Sequence, residues 1–166
     1  MAVDGVDDLQ VIWLHRNVEI RQKNSQLSDL DFIRAFEDCK FCYEEWTHEA
    51  HLRMGWHYLR TFDLKTAIEK SRTGIQKLNS VIGVRGRGYH ETITQFYLYL
   101  IQNAIRRTNA ESWDEFLKEN SFLLERSLLG SYYSAGLLNS AEAKVSFLQP
   151  DLRKLLDESQ RSGAIE

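Results

Sequence analysis

The chain has 166 residues, 43% of them hydrophobic, and this length and composition predict one domain with one buried core. Its formal net charge of −3 provides no positive field for phosphate backbones, so nucleic acid is not an expected partner. The longest unbroken apolar run, residues 96–101, is far shorter than the roughly 20 residues of a membrane span.

Cysteine content and the N-terminus bear on the compartment. Cys39 and Cys42 are the only cysteines, which is too few for a disulfide framework and fits a reducing environment. The first residues are acidic, where a secretory signal would be basic and then apolar. These features predict a cytoplasmic protein that makes no membrane contact.

Helix breakers are scarce, because the chain has one proline and nine glycines. This favours an all-α fold, and we predict a single compact bundle of about six to eight helices. The domain is expected to span residues 1–157, with a disordered tail over residues 158–166.

Four helices are predicted in the first half of the chain. The first becomes polar along its length, so we expect it to fray or to pack at the periphery. Ser28 or Asp29 is a suitable N-cap for the second helix and Asp63 for the fourth, and Gly83 ends the fourth. The four are predicted over about residues 6–23, 29–39, 45–62 and 64–81.

Four further segments are predicted to be helical in the second half. A loop with three glycines, residues 83–88, precedes the fifth helix, and Ser112 with Glu115 forms a capping box before the sixth. The seventh segment is apolar but interrupted by Gly130 and Gly136. The segments are predicted over about residues 90–107, 113–120, 123–138 and 140–147.

The third helix carries two histidines on its apolar side. At about 100° per residue, a helical wheel places His48 and His51 in the apolar sector. It places His57 on the opposite side, beside Arg53 and Arg60, where we expect solvent. His48 and His51 are therefore candidate functional residues, and His57 is not.

A third inward histidine, His90, is predicted in the first turn of the fifth helix, on the same side as Tyr97. Burial and the positive end of the helix dipole both disfavour protonation, so all three rings are expected to be neutral, the form that ligates metals. Glu37 and Glu91 are candidates for a carboxylate ligand or a general base. Tyr97 is a candidate hydrogen-bond donor to a ligand.

Other patterns compete with a three-histidine site. Cys39 and Cys42 followed by His48 and His51 have the composition of a Cys2His2 zinc site, but only five residues separate the pairs, where zinc fingers need about twelve. A histidine facing a core is also often a hydrogen-bonded structural residue. Both interpretations stay open at this point.

Two further regions are candidate binding surfaces. Arg85 and Arg87 lie among glycines before a helix N-terminus and are candidates to bind the carboxylate or phosphate of a small-molecule substrate. A solvated loop is the alternative. The aromatic region 131–138 is a candidate surface for a homodimer or another partner.

Three motifs carry a resemblance to known proteins. They are H-x2-H-[VL]-R at residues 48–53, W-x-Y-L at residues 56–59 and Y-H-E-T-x-T at residues 89–94. In these the chain resembles a widespread uncharacterised family of small all-helical proteins, mostly bacterial. The likeness covers about residues 32–105, and a Phe-x-x-Pro-Asp-Leu element at residues 147–152 is also similar. It implies that the three histidines and Glu91 are important, names no reaction, and does not include the two cysteines.

We therefore predict a metal-dependent small-molecule enzyme. The three histidines would bind one divalent ion, iron or zinc, and Glu91 or Glu37 would supply a fourth ligand or a base. Iron would favour oxidoreductase or oxygenase chemistry, and zinc would favour hydrolysis or thiol transfer. The alternatives are a metal-free domain that binds a small anion, and a helical interaction module.

Overall fold

A computed structural model describes residues 18–19, 23–83 and 88–155. These residues form helices and loops without a strand, which confirms the predicted all-α fold. Most of the predicted first helix, the loop with Arg85 and Arg87, and the predicted tail lie outside the described residues. The helices are α1 (Asp29–Glu37), α2 (His48–Thr61), α3 (Leu64–Ile82), α4 (Glu91–Ile105), α5 (Trp113–Glu119), a 3₁₀ helix (Ser121–Leu124), α6 (Leu128–Tyr132), α7 (Ala135–Leu138) and α8 (Ala141–Val145).

The predicted caps set most of the helix ends. The hydroxyl of Ser28 accepts a hydrogen bond from the Asp31 amide and begins α1, and Asp63 caps α3 in the same way. Gly83 ends α3 with a φ of 68°, a left-handed conformation that glycine adopts without steric cost. Thr47 caps α2, so this helix begins three residues later than the predicted residue 45.

The core is arranged around α2, which packs along α4, α3 and α1. One face of α2 joins α1 and α3 in a cluster that includes five aromatic rings. The opposite face joins α4 and α5 in a second cluster around Trp56, Trp113 and Phe116. Because one helix contributes to both clusters, its two faces fix the positions of the other main helices.

Two glycines permit close helix packing. A Cβ at Gly55 would lie 2.9 Å from Leu98 Cδ2 and 3.2 Å from Ile101 Cδ1, so α2 approaches α4 closely there. A Cβ at Gly74 would lie 2.5 Å from Cε1 of the buried Phe36 ring, where α3 meets α1.

The segment after α8 folds back over α4. The Thr92 hydroxyl donates to the Ser146 carbonyl at 2.8 Å and accepts from the Leu148 amide at 3.1 Å. The Tyr133 hydroxyl donates to the Leu148 carbonyl at 2.9 Å, and its buried ring packs against Phe96. Tyr133, within the predicted partner surface at residues 131–138, is therefore buried by contacts within the chain. Among the described residues, no helix is both long and apolar enough to cross a membrane.

We predict that Gly74→Ala lowers the free energy of unfolding by about 1–3 kcal/mol, because the new methyl group must displace the buried Phe36 ring. Gly130→Ala is the matched control: Gly130 lies within α6, a Cβ added there would meet no atom within 4 Å, and alanine should raise stability by up to about 1 kcal/mol. Urea denaturation measures both. Equal effects of the two substitutions would contradict the close approach of α3 to α1.

Candidate functional site

His90 is the N-cap of α4 and does not lie in its first turn. Its Nδ1 accepts a hydrogen bond from the Ile93 amide at 3.4 Å, and its Nε2–H donates to the Leu138 carbonyl at 2.9 Å. Both ring nitrogens are thereby used, and neither keeps a lone pair for a metal ion. In this structure His90 connects α4 to α7.

Glu91 is a buried carboxylate surrounded by donors. Arg72 donates through Nε at 2.8 Å and through its terminal nitrogen, the Tyr89 hydroxyl donates at 2.9 Å, and Gln95 donates as well. The Arg72 guanidinium lowers the pKa of Glu91 below its ordinary value. An anion held in this way is a weak base, so the geometry supports a structural ion pair between α3 and α4 and does not support the predicted catalytic role.

Glu37 lies exposed at the end of α1. Its carboxylate accepts a hydrogen bond from the Tyr58 hydroxyl at 3.0 Å and lies 3.8 Å from Lys70 Nζ. Burial and this carboxylate both raise the pKa of Tyr58. These contacts join α1 to α2 and α3, and none of them is with a histidine.

The predicted three-histidine metal centre is not assembled. Across residues 18–19, 23–83 and 88–155, no group of three or more His, Cys, Asp or Glu side chains is arranged to hold a metal ion. Cys39 and Cys42 are free thiols, and Cys42 is exposed. The structure therefore separates His90 from the other two histidines, and it also gives no support to the Cys2His2 alternative.

The structure does bring His48, His51 and Tyr97 together around a cavity of about 430 Å³ between α2, α3 and α4, here named the inner cavity. Its wall is mostly apolar, and these three residues and Thr94 supply the polar side chains. The lining residues are His48, His51, Leu52, Met54, Ile75, Ile93, Thr94, Tyr97, Leu98 and Ile101.

His51 has a defined tautomer and charge. Its Nδ1–H donates to the Thr47 carbonyl at 2.7 Å, and its ring lies against Trp46 with centroids 3.9 Å apart. Burial lowers the pKa of His51 to about 4, although the Thr47 carbonyl acts in the opposite direction. At neutral pH the ring is therefore uncharged, as predicted, and Nε2 carries a lone pair that accepts no hydrogen bond from the described residues.

His48 is exposed, so the prediction that it faces the core is wrong. A helical wheel gives the direction of a side chain around the axis, but it does not show how far the neighbouring helix covers the first turn. The Nε2–H of His48 donates to the Leu123 carbonyl at 3.0 Å, and its ring meets that of Tyr97 edge-on at 4.8 Å between centroids. Burial raises the pKa of Tyr97, so its hydroxyl stays protonated at neutral pH.

A second pocket, of about 470 Å³, lies beside α2, α5 and the 3₁₀ helix, and is here named the outer pocket. It shares two lining residues, His48 and Tyr97, with the inner cavity. Unlike the inner cavity, it is lined by several charged side chains. These are Glu49, Arg53, Asp114, Glu125 and Arg126.

Arg53 is a structural residue that the helical wheel misplaced. Its side chain was expected in solvent, but the residue is only 6% exposed. The guanidinium pairs with Asp29 at 2.6 Å and donates to the carbonyls of Asn24 and Leu27 at 2.7 and 2.8 Å. Arg53 belongs to the H-x2-H-[VL]-R motif and Arg60 does not, and this was the sequence signal that Arg53, unlike the exposed Arg60, has a structural role.

Comparison with family models, with curated proteins and with solved structures returned no match. The case for a function therefore rests on the residues of this chain.

We predict that His51 makes the protein less stable in mild acid. Its folded pKa of about 4 lies below its ordinary value of 6.5, so the unfolded chain binds a proton that the folded ring does not. Above pH 6.5 the His51 ring is unprotonated in both states, and the free energy of unfolding is at its full value. Below pH 6.5 that free energy falls by about 1.4 kcal/mol per pH unit. The loss should level off near pH 4, at about 3 kcal/mol.

His51→Gln should remove this component, so urea denaturation between pH 7 and pH 4 should show a smaller loss in the variant than in the wild type. His57→Asn on the same helix is a second comparison: burial also lowers the pKa of His57, so this variant should also lose part of the acid-dependent destabilisation. Parallel stability profiles for the wild type and His51→Gln would show that His51 is not held neutral by the fold.

Proposed function

We propose that the protein binds a small, largely apolar molecule in the inner cavity, and that Nε2 of His51 accepts a hydrogen bond from a hydroxyl or N–H group of that molecule. The observation that carries the proposal is a neutral imidazole at the wall of an apolar cavity of about 430 Å³. Cavities of roughly 300–1,000 Å³ with few polar groups are typical of small-molecule sites.

The chemistry of His51 selects the kind of ligand. Because the Thr47 carbonyl holds the proton on Nδ1, Nε2 can act only as an acceptor at neutral pH. A ligand that supplies an O–H or N–H to this acceptor gains a hydrogen bond within the mostly apolar cavity. Tyr97 adds a hydroxyl that can donate to a ligand oxygen or accept from a ligand donor.

A matched pair of probes tests this proposal. p-Cresol and p-xylene have nearly the same shape, but only p-cresol has a hydroxyl. We expect His51→Phe to weaken p-cresol binding by about two- to tenfold, the value of one neutral hydrogen bond, and to leave p-xylene binding nearly unchanged. The change in cavity volume is common to both probes, so the difference between them isolates the acceptor. Ligand-observed NMR measures both affinities.

A second substitution locates the site. Ile93 lines the inner cavity and is only partly buried, so Ile93→Trp should fill the space and abolish binding of both probes. Val81→Trp adds the same side chain at an exposed position on α3 and should leave binding unchanged. If Ile93→Trp binds both probes as the wild type does, or if His51→Phe weakens both equally, the proposal is incorrect.

A metal-dependent enzyme with an iron or zinc ion, including oxidoreductase chemistry, is a second candidate for the same cavity. It is favoured by one observation: His48 and His51 lie one turn apart on the same cavity, and each has a ring nitrogen, Nδ1 and Nε2 respectively, that is not hydrogen-bonded to the described residues. The pair supplies two protein ligands, so the other positions would be taken by water or by the bound molecule.

Titration calorimetry with Zn²⁺, and with Fe²⁺ under anaerobic conditions, tests this candidate. Binding of one ion per chain should be lost when His48 and His51 are both changed to Gln. It should be kept in His90→Gln, because both nitrogens of His90 are already hydrogen-bonded. Unchanged metal stoichiometry in the doubly substituted protein would eliminate the metal candidate and leave the binding proposal intact.

A further inference from the structure

We infer that the inner cavity and the outer pocket form one elongated site, and that its ligand is an amphipathic amine. The hydroxyl-bearing apolar end would occupy the inner cavity and the ammonium group would lie in the outer pocket. This inference rests on the proposed function for the inner end and adds the chemistry of the outer end.

The two spaces meet at a pair of rings. His48 and Tyr97 line both, and their rings contact each other edge to face. His48 is exposed and is the first residue of α2, where the helix holds it least. Its one hydrogen bond in the described part of the chain is to the Leu123 carbonyl, so breaking this single bond would free the ring to rotate, as a continuous site requires.

The charges of the outer pocket favour a cation. Arg53 is already paired with Asp29, and four of its five N–H groups donate to Asp29 and to the Asn24 and Leu27 carbonyls, so it offers little to an anionic ligand. The carboxylates of Asp114 and Glu125 are exposed and form no ion pair with a described residue. Arg126 is exposed and opposes this preference.

The Tyr97 ring, like the carboxylates, favours a cationic ligand. The face of a tyrosine ring attracts a cation and repels an anion, and Tyr97 lies where a molecule would pass from one space to the other. The two spaces also differ in chemistry, with apolar side chains around the inner cavity and charged ones around the outer pocket. A molecule that is apolar at one end and cationic at the other matches this division.

Tyramine and 3-(4-hydroxyphenyl)propionate test the charge preference directly. Both extend p-cresol by a short chain, and they end in an ammonium and a carboxylate group respectively. At pH 7 and low salt we expect tyramine to bind up to about fivefold more tightly, the upper value of one exposed ion pair. Added salt should reduce this preference and leave p-cresol binding unchanged.

Substitutions in the outer pocket should change the tyramine affinity in opposite directions. Asp114→Asn together with Glu125→Gln should weaken tyramine binding to the level of the carboxylate probe, and Arg126→Gln should strengthen it. Glu142→Gln is the matched control, because Glu142 is an exposed carboxylate on α8 that lines neither space. p-Cresol binding, measured in every variant, shows that the inner cavity is intact.

The outcomes separate this inference from the function on which it rests. If p-cresol binding depends on His51 but tyramine and the carboxylate probe bind equally, the amine assignment is overturned and the inner-cavity function stands. Equal effects of Glu142→Gln and the Asp114 and Glu125 substitutions would likewise overturn it. If p-cresol does not bind the wild type, both proposals are overturned.

Discussion

The hydrogen bond from Nδ1–H of His51 to the Thr47 carbonyl, 2.7 Å long, determines the chemistry of the candidate site. It fixes the proton on one ring nitrogen and leaves the other as an acceptor. Burial then keeps the ring uncharged by lowering its pKa to about 4. Thr47 also caps α2, so the residue that begins the helix also sets the tautomer of His51 one turn later.

The helices around this ring are held together by residues of the Y-H-E-T-x-T motif, which include the candidate site residues His90 and Glu91. Tyr89, His90, Glu91 and Thr92 use their polar atoms in hydrogen bonds that attach α4 to α3, α7 and the segment after α8. These contacts hold α4 in place while Gly55 lets α2 approach it closely. The inner cavity lies between these helices, so its shape depends on residues 89–92, whose side chains do not line it.

The helix ends were predicted well, because a cap or a turn is determined by residues close to it in the sequence. Ser28, Asp63, Gly83 and the Ser112 capping box all act where expected. The site was predicted less well, because it depends on tertiary contacts. The sequence identified His51 as an inward, neutral histidine, but it could not show that Leu138 and Arg72 would engage His90 and Glu91, or that α4 would leave a cavity beside His51.

The tautomer of His51 is the most direct test of the account, and long-range ¹H–¹⁵N NMR of the imidazole rings measures it. The account predicts an Nδ1–H tautomer for His51 at pH 7, with an unprotonated Nε2 that persists as the pH falls to about 5, above the pKa of about 4. It also predicts that p-cresol shifts the Nε2 resonance. An Nε2–H tautomer, or a ring protonated near pH 6.5, would contradict the account.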